Sequence, residues 1–221
     1  TPAPEEPIYL PEEGDIYIEA GEDGSLPGLV IGSKYSVDYG NDNQKSTTVN
    51  LKKHVFDRNY STFFASYDRS NTWVGLDLGE KHIITKVGYA PRNTQPGRVQ
   101  LAIIEGANKS DFSDAVPIYL IPEAGVEQQM TYADINCSRG FRYVRYVSPH
   151  DVRCNLAELA FYGEKGEGDD SQLYQITNLP TVVINTENAA EIVSKEEEIA
   201  SKVYVISEDG TKFHYAEETG F

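Results

Sequence analysis

Between Gly28 and Gly163 the chain keeps one texture: apolar or alternating runs of six to ten residues, each cut off by Gly, Pro, Asn, Asp or Ser clusters. Runs this short and breaks this frequent are the pattern of a β-sandwich. The runs read as strands are GLVIGS, TWVGLDLG, HIITKVGYA, RVQLAIIEGA, VPIYLI, FRYVRYV and LAELAFYG. In TWVGLDLG the two-residue period sets Val74, Leu76 and Leu78 on one face and Trp73, Gly75, Asp77 and Gly79 on the other, so this strand should lie half buried. Both faces of FRYVRYV are mixed, and its alternation does not say which is buried. Fifteen tyrosines and eight phenylalanines against one tryptophan and one methionine agree with a β-rich fold.

A chain of 221 residues holds one sandwich-sized domain and a smaller second piece. The stretch 164–171, EKGEGDDS, is charged, glycine-rich and without apolar anchors, and reads as a linker. The expected division is an N-terminal extension 1–26, a sandwich 27–163, the linker, and a small β-rich segment 172–221 that begins a further domain. In that segment Asp209-Gly210 marks a hairpin, and SKEEEIA reads as a helical turn capped by Ser194 with Glu197 in the reciprocal position.

The net charge of −16, from 35 acidic and 19 basic residues, argues against nucleic acid and anionic bilayers, and suits neutral ligands. No apolar run approaches the roughly 20 residues that cross a bilayer, so membrane insertion is not expected. The opening TPAPEEPIYLPEEGD reads as a mature or trimmed terminus that tethers an exported, cell-surface domain, expected to be a monomer. Cys137 and Cys154 are expected as free thiols. If 141–147 and 156–163 pair as a hairpin, the two cysteines lie at opposite ends of it, beyond the roughly 7 Å that a disulfide spans.

The stretch HVFDRNYSTFF, 54–64, places Asp57, Asn59 and Thr62 within six positions. Alternating Asp and Asn aim oxygens at a hard cation, but they also close Asx turns and cap helices, and the local sequence does not choose.

Five patches in order, VFDRNYSTFF, TWVGLDLGEKHIITKVGYAPR, SDFSDA, RGFRYVRYVSP and NLAELAFYG, resemble the coagulation factor type C, or discoidin-like, family of galactose-binding-like domains. Bacterial carbohydrate-binding modules belong to it. The resemblance covers 27–163 and implies an all-β jelly-roll β-sandwich with ligand loops gathered at one end. It further implies a structural calcium ion held by Asp57, Asn59 and Thr62 together with Glu158 of the last strand. Arg58 stands where the family prefers glycine, which implies a strained left-handed residue and a positive charge beside the cation. The alternative is an Asx turn hydrogen-bonded to Glu158 without metal. The last fifty residues are similar, more weakly, to the strand-rich segment that precedes the core of spore-coat CotH-like proteins, and no activity carries over from it.

Modules of this family hold sugars through an arginine or histidine, Asn or Asp, and an aromatic ring on the apolar sugar face. From loops 66–71, 90–98 and 148–155 the candidates are Tyr67, Asp68, Arg92, Asn93, His150 and Arg153. Arg92, directly after a strand and a proline, leads; the competing reading makes it a structural arginine bridging loop carbonyls. No glycosidase carboxylate pair, Ser/His/Asp order or phosphate loop stands out, so the chain is read as a non-enzyme that binds glycan. The rival is a spacer or protein-interaction domain that keeps the sandwich without a sugar site.

Overall fold

A computed structural model describes residues 13–39, 45–69, 71–149, 151–169, 181–186, 190–196, 198–206 and 215–220. The strands are β1 (Tyr17–Ile18), β2 (Gly28–Gly32), β3 (Val37–Tyr39), β4 (Lys45–Val49), β5 (Phe64–Ala65), β6 (Trp73–Pro91), β7 (Ile103–Ala107), β8 (Val116–Leu120), β9 (Thr131–Asp134), β10 (Gly140–Val147) and β11 (Asn155–Lys165). They are followed by β12 (Thr181–Thr186), β13 (Ala200–Ile206) and β14 (Tyr215–Gly220), which form a separate three-stranded sheet.

The architecture turns on β6. Its first part pairs antiparallel with β2 and β10, in a layer ordered β1-β2-β6-β10-β7-β8. Its second part pairs with β11 on one side and β9 on the other, and β11 continues to β5. One strand therefore serves both layers of the jelly-roll sandwich. The change of layer falls at TWVGLDLG-EK-HIITKVGYA, read from sequence as two strands and found as one. Gly79 sits there at φ +76, a conformation open to glycine at little cost, and its N–H is bonded to Asp77 Oδ1 at 2.8 Å.

Val74, Leu76 and Leu78 face the core as their alternation predicts, joined by Ile84, Val87, Ile104, Leu159 and Phe161. The mixed faces of β10 have a specific cause. Its register against β6 shifts between Phe141 and Tyr143, and this bulge changes the parity, so that Phe141, Val144 and Tyr146 all enter one core. Tyr143 falls on the other face, in a cluster with Phe112 and Ala107 that Trp73 packs against.

Three expectations are corrected. The runs 141–147 and 156–163 do not form a hairpin: β10 and β11 each pair with β6, on its two different parts. Both cysteines are nonetheless free and buried. The run RVQLAIIEGA becomes a strand only from Ile103, because Pro96–Val99 winds into a 3-10 turn and Leu101 takes φ 69, which interrupts extended backbone. No helical turn forms among the described residues of SKEEEIA, where the Ser194 hydroxyl instead accepts the Glu196 N–H at 3.0 Å. Glu197 and the Asp209-Gly210 pair lie outside the described residues.

Residues 13–26, within the stretch read as an extension, contribute β1 and pack Ile16, Ile18 and Leu26 against the core.

Candidate functional site

Strand register gathers the three loops expected to hold sugar. Leu156 of β11 lies opposite Phe64 of β5 and opposite Pro91, the last residue of β6. Ser66, which follows β5 and donates its N–H to the Cys154 carbonyl at 2.9 Å, Arg92, which follows β6, and Arg153, which precedes β11, therefore share one end of the sandwich. A buried hydroxyl seam holds this end together. The backbone N–H of Cys154 is bonded to Ser66 Oγ and Thr72 Oγ1, each at 3.0 Å, and the Thr72 and Ser148 hydroxyls lie 3.0 Å apart. All three hydroxyl residues are buried.

At this end the Arg92 guanidinium lies over Phe63, its central carbon 3.8 Å from the ring centroid. Among the described residues it has no hydrogen bond or ion pair, which leaves its N–H edge for a ligand. Arg153 has the opposite character. Its Nη1 donates to the carbonyls of Ser66, at 2.9 Å, and of Tyr67, and so fixes the 66–69 loop. The carbonyl-bridging role weighed for Arg92 thus belongs to Arg153. Tyr67 is 42 % exposed, with the Lys34 ammonium 5.6 Å from its ring, and Asp68 beside it is exposed. Asn93 follows Arg92 half-buried. His150 lies outside the described residues.

Sequence reasoning passed over three residues at this end. Phe63 forms the platform for Arg92, Arg69 lies 3.8 Å from Asp151, and Arg98 sits in the 96–99 turn. Burial, and then the charges of Arg92, Arg153 and Arg69, hold the Arg98 guanidinium below its ordinary pKa. The repeat of Arg at 92 and 98 in one loop was a signal already present in the sequence.

The second site lies under the 57–62 loop. Thr62 Oγ1 lies 2.8 Å from Asp57 Oδ2 and 2.8 Å from the Asn59 carbonyl, and Asn59 N–H donates to Asp57 Oδ1 at 3.0 Å. This is an Asx turn, and Glu158 takes no part in its hydrogen bonds. A bulge between Leu156 and Glu158 puts Glu158 on the side of β11 away from Leu159 and Phe161, where it is 1 % exposed. Neither of its carboxylate oxygens has a partner at hydrogen-bonding geometry among the described residues. Burial, and then the Asp57 charge, push its carboxyl up to about 7, against a smaller pull from the Asn59 and Arg58 backbone amides and the Arg58 charge.

Arg58 takes φ 61, the left-handed conformation expected where the family has glycine. Its side chain leaves Glu158 and reaches the N-terminal segment, with Nη2 2.9 Å from Asp23 Oδ2 and 2.7 Å from Ser25 Oγ. A buried carboxylate with orphaned oxygens beside Asp57, with amide and hydroxyl oxygens alongside, fits a hard cation such as calcium. No three His, Cys, Asp or Glu side chains gather into a metal cluster among the described residues, and this site brings only two, Asp57 and Glu158, beside neutral oxygens.

Cys154 is buried, and burial pushes its thiol pKa well up, which suits a packed thiol and not a nucleophile.

No protein-family profile matches the chain, and no curated protein does. Among solved structures it is similar to the CBM62 module of Xyl5A from Clostridium thermocellum, with 36% sequence identity and a TM-score of 0.56, over 64% of this chain and 97% of that one. A CBM32 module from Clostridium perfringens, solved with GalNAc-β-1,3-galactose, has 18% identity and a TM-score of 0.48 over 61% of this chain and 94% of its own. A putative chitobiase fragment from Bacteroides thetaiotaomicron has 14% and 0.47, over 73% and 100%. At those TM-scores the last two add nothing to the assignment. With more than a third of residues shared over almost the whole of the Clostridium thermocellum module, this chain belongs to the CBM62 family of carbohydrate-binding modules, a discoidin-like, galactose-binding-like β-sandwich.

Proposed function

We propose that this chain is a non-catalytic module that binds glycan at the loop end built from Phe63, Tyr67, Asp68, Arg92, Asn93 and Arg98. In this reading it serves an exported, surface-attached bacterial protein and acts as a monomer. The observation that carries the reading is Arg92, stacked on Phe63 with its hydrogen-bonding edge uncommitted, next to the exposed ring of Tyr67. A stacked arginine gives donors of fixed direction for paired hydroxyls, and a tyrosine offers a flat surface to the apolar face of a sugar. Arg153 holds the 66–69 loop in place through its carbonyls and supports the site from behind.

Asp57, Asn59, Thr62 and Glu158 would hold a structural calcium ion, which supplies positive charge beneath the 57–62 loop. The protein's own part is to bring Glu158 up beneath the loop through the β11 bulge and to draw the Arg58 charge away to Asp23.

The test is a broad glycan array followed by titration of the best ligand against wild type and Arg92→Ala. Loss of binding at an unchanged melting temperature is expected. A wild type that binds no glycan would return the chain to a spacer role.

A further inference from the structure

Four of the eight arginines in the chain belong to the loops at this end: Arg92 over Phe63, Arg153 on the Ser66 carbonyl, Arg69 beside Asp151, and Arg98 in the 96–99 turn, whose carbonyl accepts the Tyr146 hydroxyl at 3.5 Å. Three of the other four arginines are neutralised closely by carboxylates. Arg58 has a carboxylate oxygen of Asp23 at 2.9 Å, Arg142 one of Asp77 at 2.8 Å, and Arg145 one of Glu105 at 2.7 Å. At the loop end the pattern breaks. Arg153 donates to the carbonyls of Ser66 and Tyr67, which position it without cancelling its charge. Arg92 lies against an aromatic ring, whose face offers far less than a full negative charge. Only Arg69 meets a carboxylate among the described residues, that of Asp151, at 3.8 Å and with both side chains mostly exposed.

A chain with a net charge of −16 has carboxylates to spare, yet among the described residues Arg69 alone of these four lies within ion-pair distance of one, with the exposed Asp68 in the same loop. Like charges held together by strand register raise the free energy of the free protein, and a ligand that supplies negative charge relieves it. A neutral sugar leaves that repulsion in place. The perturbed Arg98 agrees, since burial and three neighbouring arginines all act on it in the same direction.

Building on the glycan-binding reading, we infer that the preferred ligand is an acidic sugar, whose carboxylate or sulfate ester is held by Arg98 and Arg92 while its ring meets Tyr67. Arginine suits this task because its planar guanidinium matches both oxyanions with paired, charge-assisted hydrogen bonds. The overall negative charge of the protein then works as a filter. It repels polyanions from the rest of the surface and leaves one end where an acidic glycan is accepted.

The experiment is calorimetric titration of the whole chain with three probes of equal length: trigalacturonate, a sulfated galactotriose and neutral galactotriose. Wild type, Arg98→Gln and Arg92→Gln are compared, each checked by its melting temperature. At least tenfold tighter binding of one acidic probe over the neutral one is expected, and the probe that binds tells carboxylate from sulfate. Arg98→Gln should reduce that preference about tenfold, in line with the loss of a charged hydrogen bond. If Arg98→Gln melts early, Arg92→Gln carries the comparison. Equal or better binding of the neutral probe overturns the acidic ligand and leaves the glycan-binding module standing. If neither these probes nor a broad array bind, both readings fall together.

Discussion

The guanidinium carbon of Arg92 lies 3.8 Å from the centroid of the Phe63 ring, and the two residues come from opposite sides of β11, one before β5 and one after β6. The stack orients the arginine without using its donors. Phe63→Leu keeps apolar bulk and removes the π face, so Arg92 should sample other rotamers. The expected outcome is glycan binding weakened about two- to fivefold with little change in melting temperature, from a cation–π contact of about 0.5–1 kcal/mol. Titration of the array-selected ligand checks it; unchanged affinity would show that Arg92 needs no platform.

The Glu158 carboxyl predicts a metal-dependent pH response. Its pKa in the folded chain, about 7, lies above the ordinary 4.5, so without a cation the folded state holds this proton more tightly than the unfolded chain does. Its stabilising contribution is complete below about 4.5 and is lost as pH rises through 7. In chelator, stability should therefore fall between pH 5 and 8 by about 1–3 kcal/mol, less where the loop admits water. Calcium should reverse the loss, because it favours the ionised carboxylate. Glu158→Gln should abolish both responses, read by thermal melting with and without calcium. A calcium-independent melting curve at pH 8 would remove the cation from the loop.

Arg58 separates backbone strain from contact energy. A non-glycine residue at φ 61 costs about 1 kcal/mol, and its half-exposed pair with Asp23 returns a similar amount. Arg58→Gly relieves the strain and loses the pair, so stability should move by less than about 1 kcal/mol. Arg58→Ala loses the pair and keeps the strain, and should be destabilised by about 1–2 kcal/mol. Urea denaturation of both variants measures the difference. Equal stability would mean that the left-handed conformation costs nothing here.

The layer that β6 enters first was the easiest to see in sequence, because Val74, Leu76 and Leu78 alternate cleanly. What escaped was parity. The bulges near Phe141 and Glu158 each flip the facing of a strand, and a bulge adds no apolar periodicity by which it can be read. β9 was missed for a related reason: it is an edge strand with Tyr132 mostly exposed, and of its residues Ala133 packs on the core. The Glu158 partner of the 57–62 loop was legible only through family resemblance, a hundred residues away. Arg98 was legible as a residue type in a named loop, but its company of arginines is made by register, which no local pattern encodes.

Arg145 and Glu105 offer the sharpest stability test. β10–β7 register sets them directly opposite, and Arg145 Nη2 and Nε both reach Glu105 Oε2, at 2.7 and 2.8 Å. The guanidinium also lies over Phe112 at 4.0 Å and near Trp73 at 5.1 Å, so the pair is largely withdrawn from water. Removing one partner leaves an uncompensated charge on this aromatic bed. Glu105→Met or Arg145→Met alone is therefore expected to cost about 3–5 kcal/mol, while the double change Arg145→Met with Glu105→Met should cost far less, since apolar replacements need no partner. The reason is the asymmetry of desolvation: the intact pair contributes little net energy, but the orphaned ion retains its full penalty. Chemical denaturation of the two single variants and the double closes the cycle. Additive losses would show that the two charges act independently despite their contact.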